Sequence, residues 1–352
     1  MVSLRRLARR AVGGARWLVG LAVVGFLLLR FDPSSVVRLF GAADLRLVFV
    51  GTAGLVAMHT VAAATWRALA QRLGGQRLSW ATALRAYYAA QALGSLTPGN
   101  VGSDAYRLVA PTDDVSWRGR FFPIAVQRIT SSIALAALGI ASLALLPEPG
   151  WSALAVSGGA VILAAGSALL LALLFRRSGI RARGYRSSLP GGTPVATARA
   201  RTRVAPAALL GLILGLAFHA GSIAMAYLLV AAVTPVAAPL QVLACLTIAR
   251  LSILVPLSPS GLGVQEGALA LLFLQIGLPP QVALTASLLG RIALLATATI
   301  GGILLAMDPW GKGTRVHSIR RAMTAEPAGP RIGMMKRWLP EALGGSRGSD
   351  QS

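Results

Sequence analysis

Six charged side chains stand inside apolar stretches of this 352-residue sequence, where ionised groups are rare. The acids are Asp104 and Glu266, and the arginines are Arg107, Arg128, Arg250 and Arg291. Charges surrounded by apolar residues are costly, and they usually pair with one another or serve function. We interpret the four arginines as candidate ligands of a lipid-headgroup phosphate, and the two acids as groups that balance this charge or bind a headgroup amine.

Simpler structural roles remain open for most of these residues. Asp104 and Glu266 can each stabilise the first turn of a short helix. Glu266 follows Gly263 at the spacing of a capping box, with glycine in place of serine or threonine. Arg107 stands three residues after Asp104, so the two can pair on one helical face. Arg128 lies near the start of its apolar stretch and can extend its guanidinium to the membrane surface.

Two segments rich in proline and glycine, 97–102 and 256–263, interrupt the apolar pattern close to the acids. Proline ends a helix, and glycine permits tight or left-handed backbone. The predicted breaks are at Pro98, Pro256 and Pro259, with the glycines Gly99, Gly102, Gly261 and Gly263 beside them. Short helices that begin near Gly102 and Gly263 would direct unpaired N–H groups at a phosphate. The alternative is that both segments only form turns.

Histidine and cysteine offer little other chemistry. His59 and His219 lie in apolar stretches, where they can relay protons or simply pack with a satisfied hydrogen bond. Cys245 is the only cysteine, which excludes a disulfide framework. We predict no metal site and no other cofactor, and no ATP binding because the sequence has no Walker-type loop.

The composition requires a membrane. Hydrophobic residues make up 55% of the chain and charged residues 13%, whereas a soluble domain has about 25% charged residues. This excludes a soluble enzyme and a disordered chain. A formal net charge of +23 is also typical of nucleic-acid binding. The arginines cluster between apolar runs and at the termini, however, so we predict no nucleic-acid partner.

The apolar runs predict an all-α polytopic membrane protein. The predicted spans are 17–29, 46–65, 121–146, 152–175, 204–233 and 282–306. Those after the first approach or exceed the ~20 residues that cross the hydrocarbon core, while 17–29 is typical of a retained signal anchor. Regions 82–110 and 240–278 each contain two short apolar pieces, which predicts two opposed re-entrant or broken-helix hairpins.

Arginine placement predicts that both termini are cytoplasmic. The predicted loops on one side carry the basic residues: 66–81, 107–120, 176–203 and 307–352. The predicted loops on the other side lack lysine and arginine: 147–151, 234–239 and 277–281. Only the loop 30–46 departs from this pattern, with three arginines partly offset by Asp32 and Asp44. Because positive loops stay in the cytoplasm, we assign a basic N-terminus to 1–16, a transmembrane domain to 17–307 and a polar, disordered tail to 308–352. Trp66 and Trp80 fall at predicted span ends, as interfacial tryptophans do.

The two halves of the chain share four landmarks in the same order. His59 and His219, Thr97 and Ser258, Asp104 and Glu266, and Arg128 and Arg291 are separated by 160, 161, 162 and 163 residues. This spacing predicts an internal repeat, with one copy at 46–146 and the other at 204–306. An odd number of predicted crossings separates the copies, so they must be inverted relative to one another, as in many transporters.

Two stretches carry a family resemblance. Residues 98–107 read PGNVGSDAYR, and residues 256–267 read PLSPSGLGVQEG. They resemble two signatures of the lysylphosphatidylglycerol synthase transmembrane family. The first signature reads P-x-x-x-G-G-D-x-x-R or P-G-x-x-G-E-x-x-R, and this chain has Ser103 where glycine is common; the second reads P-x-S-x-x-G-L-G-x-x-E-G. The resemblance covers roughly 17–307. It implies a lipid flippase region, without the soluble aminoacyltransferase domain of longer members, for which 308–352 is too short.

We therefore expect a bacterial-type plasma-membrane (inner-membrane) protein that is not an enzyme and moves a lipid between leaflets. The lipid would be an anionic phospholipid, an aminoacylated phospholipid or a polyprenyl-linked lipid. Two alternatives stay open. One is a non-catalytic subunit that works with envelope-biosynthesis proteins in lipid or polysaccharide assembly. The other is a membrane enzyme acting on headgroups, with His59, Asp104 and Glu266 as acid–base groups.

Overall fold

Every regular secondary-structure element in the described parts of the chain is a helix. The structure is a computed structural model, and it describes residues 17–18, 20–97, 100–109, 117–146, 158, 204–252 and 260–307. These ranges contain no strand and ten helices: α1 (Gly20–Arg30), α2 (Pro33–Gly41), α3 (Leu45–Gly74), α4 (Trp80–Ser95), α5 (Val101–Val109), α6 (Trp117–Leu143), α7 (Val204–Ala231), α8 (Pro239–Leu251), α9 (Val264–Gln275) and α10 (Pro280–Ala306). The all-α prediction is confirmed. Apart from residue 158, the regions predicted as span 152–175, loop 176–203 and the two ends, 1–16 and 308–352, lie outside the described residues.

Within the described residues, four helices are long and apolar enough to cross a membrane, namely α3, α6, α7 and α10. Each is about 40 Å long or longer at the helical rise, more than the ~30 Å hydrocarbon core. They coincide with four of the predicted spans. α1 has this character only together with α2, to which it is bent by 91°. The predicted anchor at 17–29 is therefore a short helix followed by a sharp corner.

Helix α3 shows how local sequence sets the ends of an element. Asp44 caps its start by accepting backbone hydrogen bonds at 2.8 and 3.4 Å, and Gly75, with a φ of 67°, ends it. The helix thus continues through residues 66–74 of the predicted loop 66–81, so the connection between α3 and α4 is shorter than the apolar pattern predicts. Trp66 is only 1% exposed, so its side chain packs inside the protein and not on its surface. Trp80 begins α4 and is half exposed.

Two pairs of short helices occupy the regions that proline and glycine interrupt. α4 and α5 lie in the first region, and α8 and α9 lie in the second. The backbone reverses at Asn100 (φ 58°) and Ser260 (φ 49°), a left-handed conformation that is uncommon for residues other than glycine. α5 and α9 begin within one residue of the predicted starts at Gly102 and Gly263. Four predicted break residues lie outside the described ranges: Pro98, Gly99, Pro256 and Pro259.

Small residues allow α7 to pack closely against α3 and α6. A Cβ on Gly51 of α3 would lie 2.7 Å from Leu229 Cδ2 of α7. A Cβ on Gly215 of α7 would lie 3.3 Å from the Cβ of Ala134 in α6. Close approach of backbones at small residues is typical of membrane helices, where packing replaces the hydrophobic effect as the source of association.

Helix α1 crosses the second helix break through a similar contact. A Cβ on Gly263 would lie 2.7 Å from Val23 Cβ and 2.8 Å from the carbonyl oxygen of Gly20. Gly263 also has a φ of 81°. Glycine is therefore required at this position both for its backbone conformation and because α1 leaves no room for a side chain.

Adjacent glycines in α10 provide a matched test of this packing. A Cβ on Gly301 would overlap the backbone carbonyl oxygen of Tyr88 in α4, whereas a Cβ on Gly302 would meet nothing within 4 Å. We expect Gly301→Ala to lower the free energy of unfolding in detergent by about 1–3 kcal/mol, because backbone atoms must shift. Gly302→Ala should be neutral or stabilising by up to ~1 kcal/mol, since alanine favours helix. Equal losses for both variants would contradict the packing.

Candidate functional site

A central cavity of about 660 Å³ lies among the helices. Side chains from every helix between α3 and α10 line it. Eight of the sequence-predicted site residues are among them: His59, Arg107, Arg128, His219, Arg250, Gly261, Glu266 and Arg291. The structure thus brings together residues that are far apart in the chain, and it places all four predicted arginines at one cavity.

In the first half, the carboxylate of Asp104 lies between two arginines. Its Oδ1 accepts a hydrogen bond from Arg107 Nη2 at 2.5 Å, and its Oδ2 accepts one from Arg128 Nε at 2.6 Å. Arg128 also donates from Nη2 to the carbonyl oxygen of Asn100 at 3.0 Å. Arg128 therefore ties the long helix α6 both to the acid in α5 and to the backbone reversal that precedes it.

In the second half, Glu266 is 1% exposed and has donors on both oxygens. Oε1 accepts hydrogen bonds from Arg291 Nε at 2.8 Å and Nη2 at 2.6 Å, and Oε2 accepts one from the Gly263 N–H at 2.7 Å. Arg291 also donates from Nη1 to the Ser260 carbonyl oxygen at 2.9 Å. The contact with Gly263 is the glutamate half of the predicted capping box, so Glu266 caps α9 and pairs with Arg291 at once.

The same local arrangement therefore occurs twice. In each half, an acid in the first turn of a short helix binds an arginine from the following long helix, and that arginine also binds the carbonyl oxygen of the left-handed residue. The sequence did not point to the carbonyl groups of Asn100 and Ser260. The halves differ at the second donor to the acid, because Leu269 occupies the position equivalent to Arg107 and the Gly263 N–H binds Glu266 instead.

Arg107 lies in an aromatic and amide environment that the sequence did not reveal. Its guanidinium carbon is 5.7 Å from the ring centroid of Trp66 and 5.4 Å from that of Tyr87. Nη1 donates to Gln127 Oε1 at 2.7 Å. Such contacts support a charge that is only 6% exposed. Isolated aromatic and amide residues within helices carry no distinctive spacing, so no sequence signal marked them.

A second cluster joins the two histidines to Arg250 through Phe218. His219 Nε2 is 2.9 Å from Ser131 Oγ, and its ring lies edge-on to Phe218, with centroids 5.0 Å apart. The ring of His59 is 6.0 Å from that of Phe218, and the Arg250 guanidinium carbon is 5.9 Å from the same ring. These contacts describe packing, and they place both histidines and Arg250 along one part of the cavity wall.

The cavity carries an excess of positive charge. Among the described residues, no acid lies within 4 Å of an Arg250 nitrogen, whereas the other three arginines are paired with Asp104 or Glu266. Among the described residues, four arginines line the cavity and two carboxylates pair with them. This leaves a formal surplus of two positive charges. A recess of one charge sign within low-dielectric walls concentrates ions of the opposite sign, which here are anions.

The backbone N–H groups at the two helix starts have partners within the protein. Gly102 N donates to Thr97 Oγ1 at 2.7 Å, and Gly263 N donates to Glu266. The arginine side chains, and not these N–H groups, are therefore the donors that the cavity offers to an anion. In the described ranges, no three histidine, cysteine or acidic residues cluster as metal ligands would.

The sequence model of the lysylphosphatidylglycerol synthase TM region matches residues 15–302. The chain belongs to this family. The match includes both signature stretches, 98–107 and 256–267, so the resemblance that they carry is confirmed. No curated protein and no solved structure matches the chain. Asp104 and Glu266 thus lie inside the two signature segments of this family, and Arg128 and Arg291 bind them from the long helices α6 and α10.

The buried pair of the second signature provides a stability test. Arg291→Gln removes the charged donors to Glu266 and leaves its buried carboxylate without a cation. We expect the free energy of unfolding in detergent to fall by about 3–5 kcal/mol, as for other broken buried pairs. Adding Glu266→Gln should recover part of this loss, because the orphaned charge disappears.

The matched control is Arg46→Gln, at an exposed arginine of α3 that does not line the cavity. Its unfolding should be unchanged. A loss below ~1 kcal/mol for Arg291→Gln would indicate a pair that behaves like an exposed one and would contradict the geometry.

Proposed function

We propose that this membrane protein moves an anionic lipid from one leaflet to the other. The observation that carries the proposal is the positive surplus of the central cavity, where Arg250 has no acidic partner among the described residues. An unpaired charge among apolar helices is costly and does not help packing. An anionic headgroup would neutralise it.

The size of the cavity suits a headgroup. Its volume of about 660 Å³ lies within the range of roughly 300–1,000 Å³ that is typical of small-molecule sites. The acyl chains would remain outside, beside exposed apolar side chains of the spans such as Phe49, Ile213 and Leu295. A headgroup that crosses inside the protein avoids the cost of transferring polar groups into hydrocarbon.

Arg250 is the proposed first contact for the phosphate. A phosphate charge 4 Å from its guanidinium would gain about 4 kcal/mol of Coulomb attraction at an effective dielectric constant of 20. Arg128 and Arg291 share their charge with an acid and would contribute less while those pairs remain closed. In this mechanism, Asp104 and Glu266 balance the arginines, and Arg250 draws the headgroup in.

In the proposed mechanism, the two halves of the protein give both leaflets access to one cavity, and a gradient drives the lipid. The halves at 46–146 and 204–306 are inverted in the membrane, and the α4–α5 and α8–α9 pairs form opposed re-entrant hairpins, so each leaflet has an equivalent route to one cavity. Without a Walker-type loop, transport follows a lipid gradient or is coupled to an ion. The protein is not an enzyme in this scheme, and it lies in a bacterial-type plasma membrane.

Reconstitution of the full chain tests transport directly. Liposomes with acyl-labelled NBD-phosphatidylglycerol in both leaflets lose only the outer-leaflet fluorescence to dithionite unless the lipid exchanges. We expect the protein to make the inner pool accessible. Arg250→Ala should slow this exchange at least about tenfold, the equivalent of losing ~1.4 kcal/mol of phosphate stabilisation. Arg46→Ala, outside the cavity, should behave like the wild type.

Failure of the wild-type protein to accelerate lipid exchange between leaflets would contradict the proposed transport function. Mass spectrometry of the same liposomes then separates the other two candidates. An altered lipid would favour a headgroup enzyme, and unaltered lipid would favour a subunit of envelope assembly.

Cysteine labelling tests the inverted arrangement. Cys245 is the only cysteine and is buried, so Cys245→Ser provides a clean background. Arg77 and Ala237 are exposed and lie 160 residues apart, after the first span of each half. With an impermeant maleimide on intact cells, Ala237→Cys should react at once and Arg77→Cys only after permeabilisation. Reaction of both from the same side would contradict inversion.

A further inference from the structure

We infer that the corner between α3 and α4 binds the phosphate of an anionic lipid in the leaflet beside it. The main donors are Arg67 and Arg77, and neither of them lines the central cavity. The site is therefore separate from that cavity, and it does not depend on the transport function proposed above. Its lipid stays at the surface of the membrane and is not carried through the protein.

The chain around this corner is strongly basic. Residues 66–85 contain no lysine, aspartate or glutamate and four arginines, namely Arg67, Arg72, Arg77 and Arg85. Within the described part of the chain, no acid lies within 4 Å of a nitrogen of any of the four. Three of them are exposed, and Arg67 is partly buried. The corner thus carries positive charge that no nearby carboxylate of the described residues neutralises, and it attracts anions.

Arg67 is held in a fixed position with part of its guanidinium available. Its Nε donates to the Leu78 carbonyl oxygen at 2.8 Å, and its guanidinium carbon lies 4.7 Å from the ring centroid of Trp80. Its two Nη atoms have no hydrogen-bond partner within the described residues, and both keep an accessible surface. Because the planar fork is already oriented, it loses little freedom when it binds a phosphate.

A shallow surface recess beside Arg67 adds further donors. It is lined by Gln71, Gly75, Gln76, Arg77, Leu78 and Ser79. Gln71 Nε2 donates at 3.2 Å to the same Leu78 carbonyl oxygen that Arg67 binds, so the guanidinium of Arg67 is adjacent to this recess. Arg77 is exposed and has no partner in the described part of the protein. A phosphate in the recess therefore meets two arginines.

The corner lies where three of the long helices begin or end. α3 ends at Gly74, and Gln76 Nε2 donates at 3.0 Å to the carbonyl oxygen of Gly119 in the first turn of α6. Ala207, in the first turn of α7, packs against the last turns of α3. Because these helices are long enough to cross the membrane, their ends mark its surface. Trp80 is half exposed at this level, as interfacial tryptophans are.

These features match a phosphate that belongs to a lipid. Basic side chains beside an anionic leaflet bind its phosphates, and an exposed tryptophan ring packs among headgroups and the first carbons of the acyl chains. A soluble anion can meet the arginines, but it has no apolar part to cover the indole ring of Trp80. Since Trp80 begins α4, a lipid bound here holds the start of the first short helix beside the end of α3.

Quenching by labelled lipids tests the site in the full chain. Cys245→Ser removes the only native thiol, and Ala81→Cys, at an exposed position beside Trp80, receives a bimane fluorophore. Phosphatidylcholine nanodiscs then contain a fixed fraction of either phosphatidylglycerol or phosphatidylcholine with a nitroxide near the start of one acyl chain. We expect phosphatidylglycerol to be enriched beside the fluorophore at least about fivefold over phosphatidylcholine. Equal quenching by the two lipids would refute the site.

Substitutions identify the residues responsible. Arg77→Gln changes an exposed side chain without a partner among the described residues, so folding should be unaffected and the enrichment should fall about two- to fivefold. Adding Arg67→Gln should bring it close to that of phosphatidylcholine. Arg46→Gln is the matched control, because it removes the same charge from an exposed position at the other end of α3, and the enrichment should persist.

Two outcomes would overturn the assignment even if phosphatidylglycerol is enriched. An equal loss in Arg46→Gln and Arg77→Gln would reduce the effect to the net charge of the protein. Loss of the enrichment in Arg250→Ala, with Arg67 and Arg77 intact, would assign the lipid to the central cavity.

Inorganic phosphate separates a lipid ligand from a free anion. Thermal unfolding of the full chain in phosphatidylcholine nanodiscs is compared with phosphatidylglycerol added to the bilayer and with inorganic phosphate added to the solution at equal ionic strength. We expect phosphatidylglycerol to raise the midpoint by roughly 2–4 °C, by less in the double variant of Arg67 and Arg77, and inorganic phosphate to leave it unchanged. A rise with inorganic phosphate that the double variant abolishes would identify a soluble anion and overturn the lipid assignment.

Discussion

Pairing of buried charges is the constraint on which the rest of this structure depends. A carboxylate as buried as that of Glu266 persists only when a cation and further donors hold it. Arg291 meets this need from α10 and also binds the carbonyl oxygen of Ser260. One guanidinium therefore fixes the start of α9, the backbone reversal before it and the position of the next span. Arg128 does the same for Asp104 in the first half.

The two halves of the chain differ in the residues that give the cavity its positive charge. The acid–arginine pairs that recur in both halves are neutral, and they set geometry. The surplus comes from departures from the repeat, because Arg107 corresponds to Leu269, and Arg250 corresponds to Ala90 at an offset of 160 residues. The repeated acid–arginine pairs thus add no net charge to the cavity, and the two unmatched arginines account for its positive surplus.

Local signals explain which features the sequence predicts. Charges inside apolar runs mark the ion pairs, and clusters of proline and glycine mark the helix breaks. Both kinds of residue are unfavourable within a regular apolar helix, so their presence indicates a specific role. Helix ends are harder to predict. The apolar run of α3 stops near Arg67, yet the helix continues until Gly75 ends it. Trp66 consequently turns inward onto Arg107, and Phe218 reaches Arg250 through tertiary packing alone.

The contact between Gly20 and Gly263 gives α1 a mechanical role in the molecule. A Cβ on Gly263 would lie 2.8 Å from the Gly20 carbonyl oxygen, which leaves no room for a side chain, and a Cβ on Gly20 would lie 3.1 Å from the Leu262 carbonyl oxygen, a tight contact. If the start of α9 moved away from its neighbours, it would carry α1 with it or break this contact. Segment 20–30 therefore restrains the start of α9. Glu266 accepts a hydrogen bond from the Gly263 N–H, so α1 packs against the residue that supplies one of the donors to the buried carboxylate.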